Sequence, residues 1–239
     1  MISKVSALTQ RELAASFFSP VAYIVAAVFL VATGYLFMTY TLVPGEEATI
    51  RPLLVYMAQI LIFAIPLLTM RCLADEFASG TIETLMTAPV TDTEVVMSKF
   101  LGAMVFYVAL LLTTVVHVLL LFRYGASGIG VIIWGYVGML MLGALYVSVG
   151  VFASALTKHQ LVAAIIAIGI LAVITLGVQG LSLLRGGTWR AVLGYVDVLR
   201  HFEDFSKGIV DSRAIIFFVS VTAFFLFLSV KVLESRRWR

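Results

Sequence analysis

Long apolar runs are the feature that most constrains how this chain can fold. The stretch from Leu161 to Leu184 contains no charged residue, and similar runs recur along the whole sequence. Crossing a hydrocarbon core of about 30 Å takes roughly 20 apolar helical residues, because backbone groups in lipid must be hydrogen-bonded within the segment. The runs also lack the alternation of apolar and polar residues that is typical of a transmembrane β-barrel. We therefore predict an all-α integral membrane protein.

The composition supports the same class and excludes others. Hydrophobic residues make up 62% of the chain and charged residues 12%, which is far from the balance of a soluble domain. The net charge is +3, and the basic residues lie near predicted membrane edges, so we expect no nucleic-acid partner. The single cysteine, Cys72, excludes an intrachain disulfide and a Cys-rich metal site. We expect neither a metal nor a cofactor bound by this chain.

Six spans are predicted within one transmembrane domain that covers 1–239. Their bounds are 21–42, 53–70, 96–122, 129–156, 161–184 and 214–230. The preceding stretch, "KVSALTQRELAASFF", mixes apolar and charged residues, which predicts a helix lying along the membrane interface; a frayed tail is the alternative. It lacks the short apolar region and cleavage site of a signal peptide, so we expect the first span to direct its own insertion.

The distribution of Lys and Arg predicts the orientation. With both ends of the chain in the cytoplasm, nine basic residues lie inside and seven outside, and five of those seven fall between spans 5 and 6. We keep this orientation because the cluster "KVLESRRWR" is hard to translocate. The prediction is a multi-pass protein of the bacterial cytoplasmic (inner) membrane.

The stretch "RCLADEFASGTIETLMTAPVTDTEVVMSK", residues 71–99, holds seven charges between two apolar spans. Thr81 is placed to cap a short helix, and Glu83 falls in its first turn, where a carboxylate suits the helix dipole. Pro89 ends that helix, and Thr91 and Glu94 have the spacing of a capping box. We predict a short helix across the end of the bundle; a solvated loop is the alternative.

Four stretches of the sequence resemble segments of one protein family. They occur in the same order as in that family, and the resemblance covers essentially the whole chain. "DEFASGTIETLMTAPVTDTEVVMSKFLGA" resembles the cytoplasmic segment between spans two and three of type-2 ABC exporter permeases. "SALTQRELAASFFSPVAYI" and "LTKHQLVAA" resemble the entry to span one and the connection before span five. "LRHFEDFSKGIVDSR" is similar to the gliding-motility-type branch. The resemblance implies a permease subunit that moves a substrate out of or across the membrane with ATP.

The same resemblance implies the partners. Such permeases carry no nucleotide site, and this sequence has no Gly-x-x-x-x-Gly-Lys-Ser/Thr motif. We therefore expect a subunit that is not an enzyme, with two copies of an ABC ATPase binding ATP and Mg²⁺. A second permease copy (a homodimer) or a sister permease is implied too, and an extracytoplasmic accessory protein is a further candidate. The alternative function is a non-transporting scaffold or mechanotransmission subunit that drives an extracytoplasmic partner.

The resemblance also implies site residues, none of them catalytic. The residues of the coupling helix, which would contact the ATPase, are Glu76, Gly80, Thr81, Glu83, Thr84 and Pro89. A second, smaller cytoplasmic contact would come from Thr157, Lys158, His159 and Gln160.

The connection between spans 5 and 6 has three interpretations. It is an outer gate, a docking surface for an extracytoplasmic partner, or an interfacial helix that anchors span 6. Trp189 and Tyr195 belong to its apolar run, whereas His201, Phe202 and Phe205 match the branch pattern without an assigned chemistry.

His117 is the ionisable residue of interest inside a predicted span. It is a candidate for a proton relay or a substrate contact, and a helix-helix hydrogen bond is the structural alternative. No Asp or Glu falls within any predicted span, which argues against a proton- or sodium-coupled carrier.

Overall fold

The computed structural model describes residues 2–42, 48–81, 90–124, 128–184 and 195–237. Within these residues the secondary structure is helical throughout, with no strand. The α-helices are α1 (Ile2–Phe17), α2 (Pro20–Leu36), α3 (Arg51–Thr69), α4 (Ala74–Ser79), α5 (Asp92–Thr113), α6 (Val115–Tyr124), α7 (Ile129–Leu156), α8 (Gln160–Ala172), α9 (Val178–Leu184), α10 (Val198–Ser206) and α11 (Ser212–Arg237). Two π-helical turns, Phe37–Thr41 and Val173–Gly177, continue α2 and α8.

Six segments are long and apolar enough to cross a membrane, and they confirm the predicted fold class. Spans 1 to 6 are Pro20–Thr41, Arg51–Ser79, Asp92–Arg123, Ile129–Leu156, Gln160–Leu181 and Ser212–Arg236. Span 2 extends past its predicted end because α4 continues α3 after one turn. The chain is a multi-pass membrane protein.

Local sequence signals fix where several helices begin. Pro20 and Pro52 occupy the first turns of spans 1 and 2, where the missing N–H costs no helical hydrogen bond. Span 3 begins with the predicted capping box: Thr91 Oγ1 accepts from the Glu94 N–H at 3.3 Å, and Glu94 Oε2 accepts from the Thr91 N–H at 3.0 Å. That prediction is confirmed.

Span 4 is the central helix, and small residues let its neighbours approach closely. It packs against spans 2, 3, 5 and 6 and against α10. A Cβ atom built on Gly143 would overlap the Tyr107 ring, whose hydroxyl donates to the Met139 carbonyl at 2.7 Å. A Cβ on Gly138 would lie 2.6 Å from that of Phe205. Close packing against glycine therefore takes the place of a polar core, as is usual between helices in lipid.

Spans 1, 5 and 6 lie at the periphery of the bundle. Within the most apolar window of each span, 72% of the residues are buried in span 4, against 28% in spans 1 and 5 and 11% in span 6. Their exposed faces are apolar, with Val31, Ile165 and Ile216 among the exposed side chains. Lipid or another apolar surface must cover these faces.

The helix α1 packs along the start of span 3. The Phe17 and Phe106 rings lie 5.2 Å apart, and Gly102 leaves room for the Glu12 side chain. We call this end of the bundle the α1 end, where spans 1, 3 and 5 begin and spans 2, 4 and 6 finish; the other is the distal end. That α1 lies in a membrane interface stays a prediction.

Candidate functional site

Four charged side chains from three remote segments meet at the α1 end. Lys99 Nζ lies 2.6 Å from Glu76 Oε1 and 2.8 Å from Glu12 Oε1. Arg11 Nη2 lies 2.8 Å from Glu76 Oε1 and 3.3 Å from Glu12 Oε1. We call these four residues the charge cluster. Its two cations and two carboxylates balance, and it joins α1 to the end of span 2 and the start of span 3.

The charge cluster is largely shielded from solvent. The Lys99 side chain is 4% exposed, Glu76 9% and Glu12 15%, whereas Arg11 is 58% exposed. Buried charges are tolerated only when they are paired, because an isolated ion loses its hydration. Glu76 Oε1 accepts from both cations, while its Oε2 is buried and has no hydrogen-bond partner among the described residues. Removing one member therefore leaves a charge with neither water nor a full set of partners.

The charge cluster flanks the segment predicted to couple the protein to its ATPase. Glu76 is the first of the residues predicted for that segment, and Lys99 follows the last of them, Pro89, by ten positions. The helix α4 ends at Gly80, whose φ of 73° is the left-handed conformation that favours glycine at a helix end. Glu83, Thr84 and Pro89 lie outside the described residues, with most of the predicted coupling helix. Both flanks of this segment are thus fixed in the bundle.

The structure changes the role that we predict for Glu76. Its carboxylate is engaged with Lys99 and Arg11 inside the bundle, so it is not free to contact another protein. Gly80 and Thr81 are exposed, and the Thr81 hydroxyl lies 2.9 Å from that of Ser79. Of the predicted coupling residues that the structure describes, Gly80 and Thr81 are exposed and Glu76 is tied into the bundle.

A second polar network joins spans 1, 2 and 5 beside the charge cluster. Arg71 donates through Nε to Gln160 Oε1 and through Nη1 to the Ser19 hydroxyl, both at 3.1 Å. The Gln160 amide nitrogen in turn donates to Asp75 Oδ1. Gln160 therefore lies between a guanidinium and a carboxylate, and the start of span 5 is tied to the end of span 2.

The residues of the predicted second contact, Thr157 to Gln160, lie in two different environments. Gln160 faces into the network just described. Lys158 and His159 are exposed, and the Thr157 hydroxyl accepts from the His159 N–H at 3.1 Å. Thr157 and Gln160 are half-buried, so the exposed side chains of this turn are those of Lys158 and His159.

Ser154 fixes the turn at which span 2 bends from α3 into α4. Its hydroxyl accepts from the N–H groups of Leu73 at 2.9 Å and Ala74 at 3.0 Å, and it donates to the Met70 carbonyl at 3.0 Å. These backbone groups are buried and have no partner within their own helices at this break. One serine of span 4 thus satisfies three backbone groups of span 2.

Span 6 is held at the same end by Arg236. Its guanidinium donates to the Leu156 carbonyl at 2.6 Å and lies 4.3 Å from the centre of the Phe77 ring. The bond satisfies a carbonyl at the C-terminus of span 4, and the ring contact is a cation–π interaction. The ends of spans 2, 4 and 6 are therefore connected.

A cavity of about 250 Å³ lies between α1 and the ends of spans 1, 2 and 3. Its charged lining comes from Arg11, Glu12, Arg71, Asp75, Glu76 and Lys99. Its apolar lining comes from Val21, Ala22, Leu67, Leu68, Ala103 and Phe106. Among the described residues, no group of three or more His, Cys, Asp or Glu side chains is arranged to hold a metal ion.

At the distal end, the helix α10 packs into the bundle. The Asp197 carboxylate caps it by accepting from the N–H groups of Leu199 at 3.1 Å and Arg200 at 3.2 Å. Phe202 and Phe205 are fully buried against the bundle, which leaves no surface of theirs for a partner. Phe202 and Phe205 therefore do not form part of an exposed partner surface, and their role in a gate stays a prediction.

The remaining predicted residues of this surface are Tyr195, His201 and Trp189. Tyr195 is exposed, and its carbonyl lies 3.1 Å from Nε2 of the half-buried His201. The His201 ring stacks at 4.7 Å on that of Phe217 in span 6. Trp189 lies outside the described residues. These contacts connect α10 to span 6.

His117 makes its hydrogen bond within its own span. Nδ1 lies 3.1 Å from the Thr114 carbonyl, and the ring meets that of Phe37 edge-on at 5.1 Å. Spans 3 and 1 are in contact here through the rings and not through the helix-helix hydrogen bond that we predicted as the structural alternative. No acidic side chain lies beside His117 among its described contacts.

Sequence reasoning missed the charge cluster and the network around Arg71. The signal was present in the topology: residues just before span 1, at the end of span 2 and at the start of span 3 must lie at one end of the bundle. Arg11, Glu12, Glu76 and Lys99 occupy those positions and carry opposite charges. No comparable signal pointed to Ser154, because a serine inside an apolar span has no sequence pattern that reveals its partners.

The comparison with protein families agrees with this architecture. A family model described as "ABC-2 family transporter protein" matches residues 3–230, nearly the whole chain. Among curated proteins, none matches. Membrane proteins of this family are typically non-catalytic and generally work with ABC ATPase partners. The chain with the charge cluster at its α1 end therefore belongs to the ABC-2 family of transporter membrane proteins.

Proposed function

We propose that this chain is the permease subunit of an ATP-driven ABC export system. Two copies of an ABC ATPase, carrying ATP and Mg²⁺, would dock at the α1 end and drive movement of a substrate out of or across the membrane. Family membership supports this function over a non-transporting scaffold. The segment between Gly80 and Thr91, together with Lys158 and His159, would form the docking surface.

The observation that carries the proposal is the ion pair between the two flanks of this segment. Lys99 and Glu76 approach to 2.6 Å, and Glu12 and Arg11 add α1 to the same cluster. A segment held at both ends transmits displacement to spans 2 and 3, whereas a free loop would absorb it in its own dihedral angles. We infer that ATP-driven movement of the partner passes through this cluster into the bundle.

Co-purification tests the proposal. The tagged chain is isolated from gently solubilised native membranes, beside a variant in which 80–89 is replaced by a Gly/Ser linker. The matched control replaces 43–47, which follow span 1 in the sequence, in the same way. A P-loop ATPase that accompanies the wild type and the control, but not the 80–89 variant, is the expected result. Absence of an ATPase from the wild type would overturn the proposal.

Two single substitutions separate contact from anchoring. Glu83→Ala should weaken ATPase co-purification while the purified chain keeps its unfolding midpoint, because we predict Glu83 to touch the partner. Glu76→Ala should lower the unfolding midpoint, because it breaks buried ion pairs. An unchanged midpoint for Glu76→Ala would contradict the anchoring role.

The proposed orientation places the α1 end in the cytoplasm of a bacterial inner-membrane protein. Ser79 and Ser212 are exposed serines at opposite ends of the bundle, so each can be changed to cysteine in a Cys72→Ser background. A membrane-impermeant thiol reagent should label Ser212→Cys in intact cells and Ser79→Cys only after permeabilisation. The reverse pattern would contradict this orientation.

We also propose that a second permease copy, or a sister permease, completes the assembly. The apolar outer faces of spans 1, 5 and 6 suit either such a copy or lipid. The mass and composition of the co-purified complex distinguish a homodimer from a heterodimer. Membership of the gliding-motility-type branch, with an extracytoplasmic accessory protein at α10, belongs to the same proposal and is tested by whether such a protein co-purifies.

A further inference from the structure

The cavity at the α1 end is lined by several charged side chains, not all of which are paired with one another. Its lining includes three cations and three carboxylates. The charge cluster pairs two of each, Arg11 and Lys99 with Glu12 and Glu76. Arg71 and Asp75 remain. Among the described residues they form no ion pair with each other, since Gln160 hydrogen-bonds to both and lies between them.

Both remaining groups keep hydrogen-bonding capacity. Arg71 has five N–H donors and uses two of them, toward Gln160 and Ser19. In the described contacts of its side chain, Asp75 accepts one hydrogen bond through Oδ1. A guanidinium with free N–H groups is well suited to bind a phosphate, and a carboxylate with a free oxygen is suited to an ammonium group. The cavity thus presents a cationic site and an anionic site that are separated by one glutamine side chain.

Most of the uncharged lining is apolar, and Ser16 and Ser19 add two hydroxyl groups to it. Val21, Leu67 and Phe106 are among the residues that line it, at the end of the bundle where the spans meet α1. With a volume of about 250 Å³ the cavity exceeds by an order of magnitude the room that one water molecule needs. A ligand that matches this lining is amphipathic and has a zwitterionic end.

We propose that this cavity binds the headgroup of a phospholipid that carries a primary amine, of the phosphatidylethanolamine type. Its phosphate binds Arg71, its ammonium group donates to Asp75, and the apolar lining receives the start of the acyl chains. A quaternary ammonium headgroup fits less well, because it has no N–H to donate and is normally held by several aromatic faces, of which the cavity has one, Phe106. Anionic glycerol headgroups satisfy Arg71 and leave Asp75 unpaired.

The test uses the purified full-length chain, stripped of lipid and exchanged into micelles that contain equal amounts of phosphatidylethanolamine, phosphatidylcholine and phosphatidylglycerol. Native mass spectrometry counts the lipid adducts of the folded ion. We expect about a tenfold preference for phosphatidylethanolamine over phosphatidylcholine, the ratio given by one additional charged hydrogen bond of about 1.4 kcal/mol. Equal binding of the two would overturn the proposal.

Variants assign the preference to the cavity. Asp75→Asn should bring the ratio of the two lipids close to one, and Arg71→Gln should lower the binding of every phospholipid. Arg51→Gln is the matched control, because Arg51 is an exposed arginine at the distal end of the same span. Retained preference in Asp75→Asn, or its loss in Arg51→Gln, would place the lipid elsewhere and overturn the assignment. The ratio is measured on folded ions of each variant, so poor folding yield does not affect it.

A soluble competitor distinguishes a lipid from a free headgroup. Glycerophosphoethanolamine carries the same phosphate and ammonium groups without acyl chains. If the apolar lining contributes, this compound at the same concentration should leave the lipid adducts in place. Full displacement would contradict a lipid site, since it would show that the headgroup alone is recognised.

Discussion

Replacing Lys99 with Met should destabilise the protein more than any other single change in the charge cluster. Lys99 is 4% exposed and lies 2.8 Å or less from two carboxylates. Methionine keeps the length of the side chain but removes its charge. Glu76 and Glu12 then share one counter-charge, Arg11, which is itself 58% exposed.

The size of the effect follows from the burial of the carboxylates. Breaking a buried ion pair by removing one partner costs about 3 to 5 kcal/mol. Because Glu12 is 15% exposed and can gain some hydration, we expect the lower end of that range for Lys99→Met, about 3 kcal/mol. Glu76→Gln should cost less, about 1.5 kcal/mol, because Lys99 keeps its contact with Glu12 at 2.8 Å.

The double variant gives the sharper test. In Lys99→Met with Glu76→Gln, the remaining members Arg11 and Glu12 form a neutral pair 3.3 Å apart. We therefore expect the double variant to regain part of the stability lost in Lys99→Met alone, with a coupling energy of about 2 kcal/mol. The free energy of unfolding can be measured on purified protein by increasing the fraction of sodium dodecyl sulfate in mixed micelles while circular dichroism follows the helices.

Lys231→Met is the matched control. Its ammonium lies 2.7 Å from Glu234, a similar distance, but the two side chains are 53% and 42% exposed. Exposed pairs of this kind contribute at most about 1 kcal/mol. The reasoning is refuted if Lys99→Met is no more destabilising than Lys231→Met, or if the double variant is less stable than Lys99→Met.

Three further predictions use the same unfolding assay. Ser154→Ala leaves two buried N–H groups without an acceptor and should cost about 2 kcal/mol of unfolding free energy. Its control is Ser148→Ala, which should cost under about 1 kcal/mol because the Ser148 hydroxyl bonds only within its own helix; equal losses would contradict this account. Gly143→Ala forces a methyl group into the Tyr107 ring and should cost about 2 kcal/mol, whereas Gly169→Ala faces open space and should cost almost nothing. A tolerated Gly143→Ala would show that the ring can move away. Thr91→Ala removes the cap of span 3 and should cost about 1 kcal/mol, whereas Thr91→Ser should keep a stability close to that of the wild type. A similar loss of stability in both variants would rule out the hydroxyl as the cause.

The sequence alone determined that the chain is helical and has six segments able to cross a membrane. A backbone in lipid has to satisfy its hydrogen bonds internally, so long apolar runs can form only helices and their number can be counted. It also determined the capping box at Thr91 and Glu94, because that motif closes within four residues. Signals of this kind are local and need no knowledge of the neighbours.

The candidate site was predictable in position but not in role. The charged segment between spans 2 and 3 stood out because its charges interrupt an apolar chain. The sequence could not show that Glu76 faces inward while Gly80 and Thr81 face outward, because these residues lie within a few positions of one another and differ only in what packs beside them. Phe202 and Phe205, likewise, became core residues only through the packing of α10 against span 4.

Only the tertiary structure decided which remote groups pair. Arg11, Glu76 and Lys99 come together because α1 folds back along span 3, and Arg71 meets Gln160 because span 5 begins beside the end of span 2. Ser154 lies in an apolar span, yet its hydroxyl accepts hydrogen bonds from two backbone N–H groups of another span. Hydropathy sets which segments enter the membrane, whereas the pairing of buried polar groups depends on helix packing, and that packing brings together residues far apart in the chain.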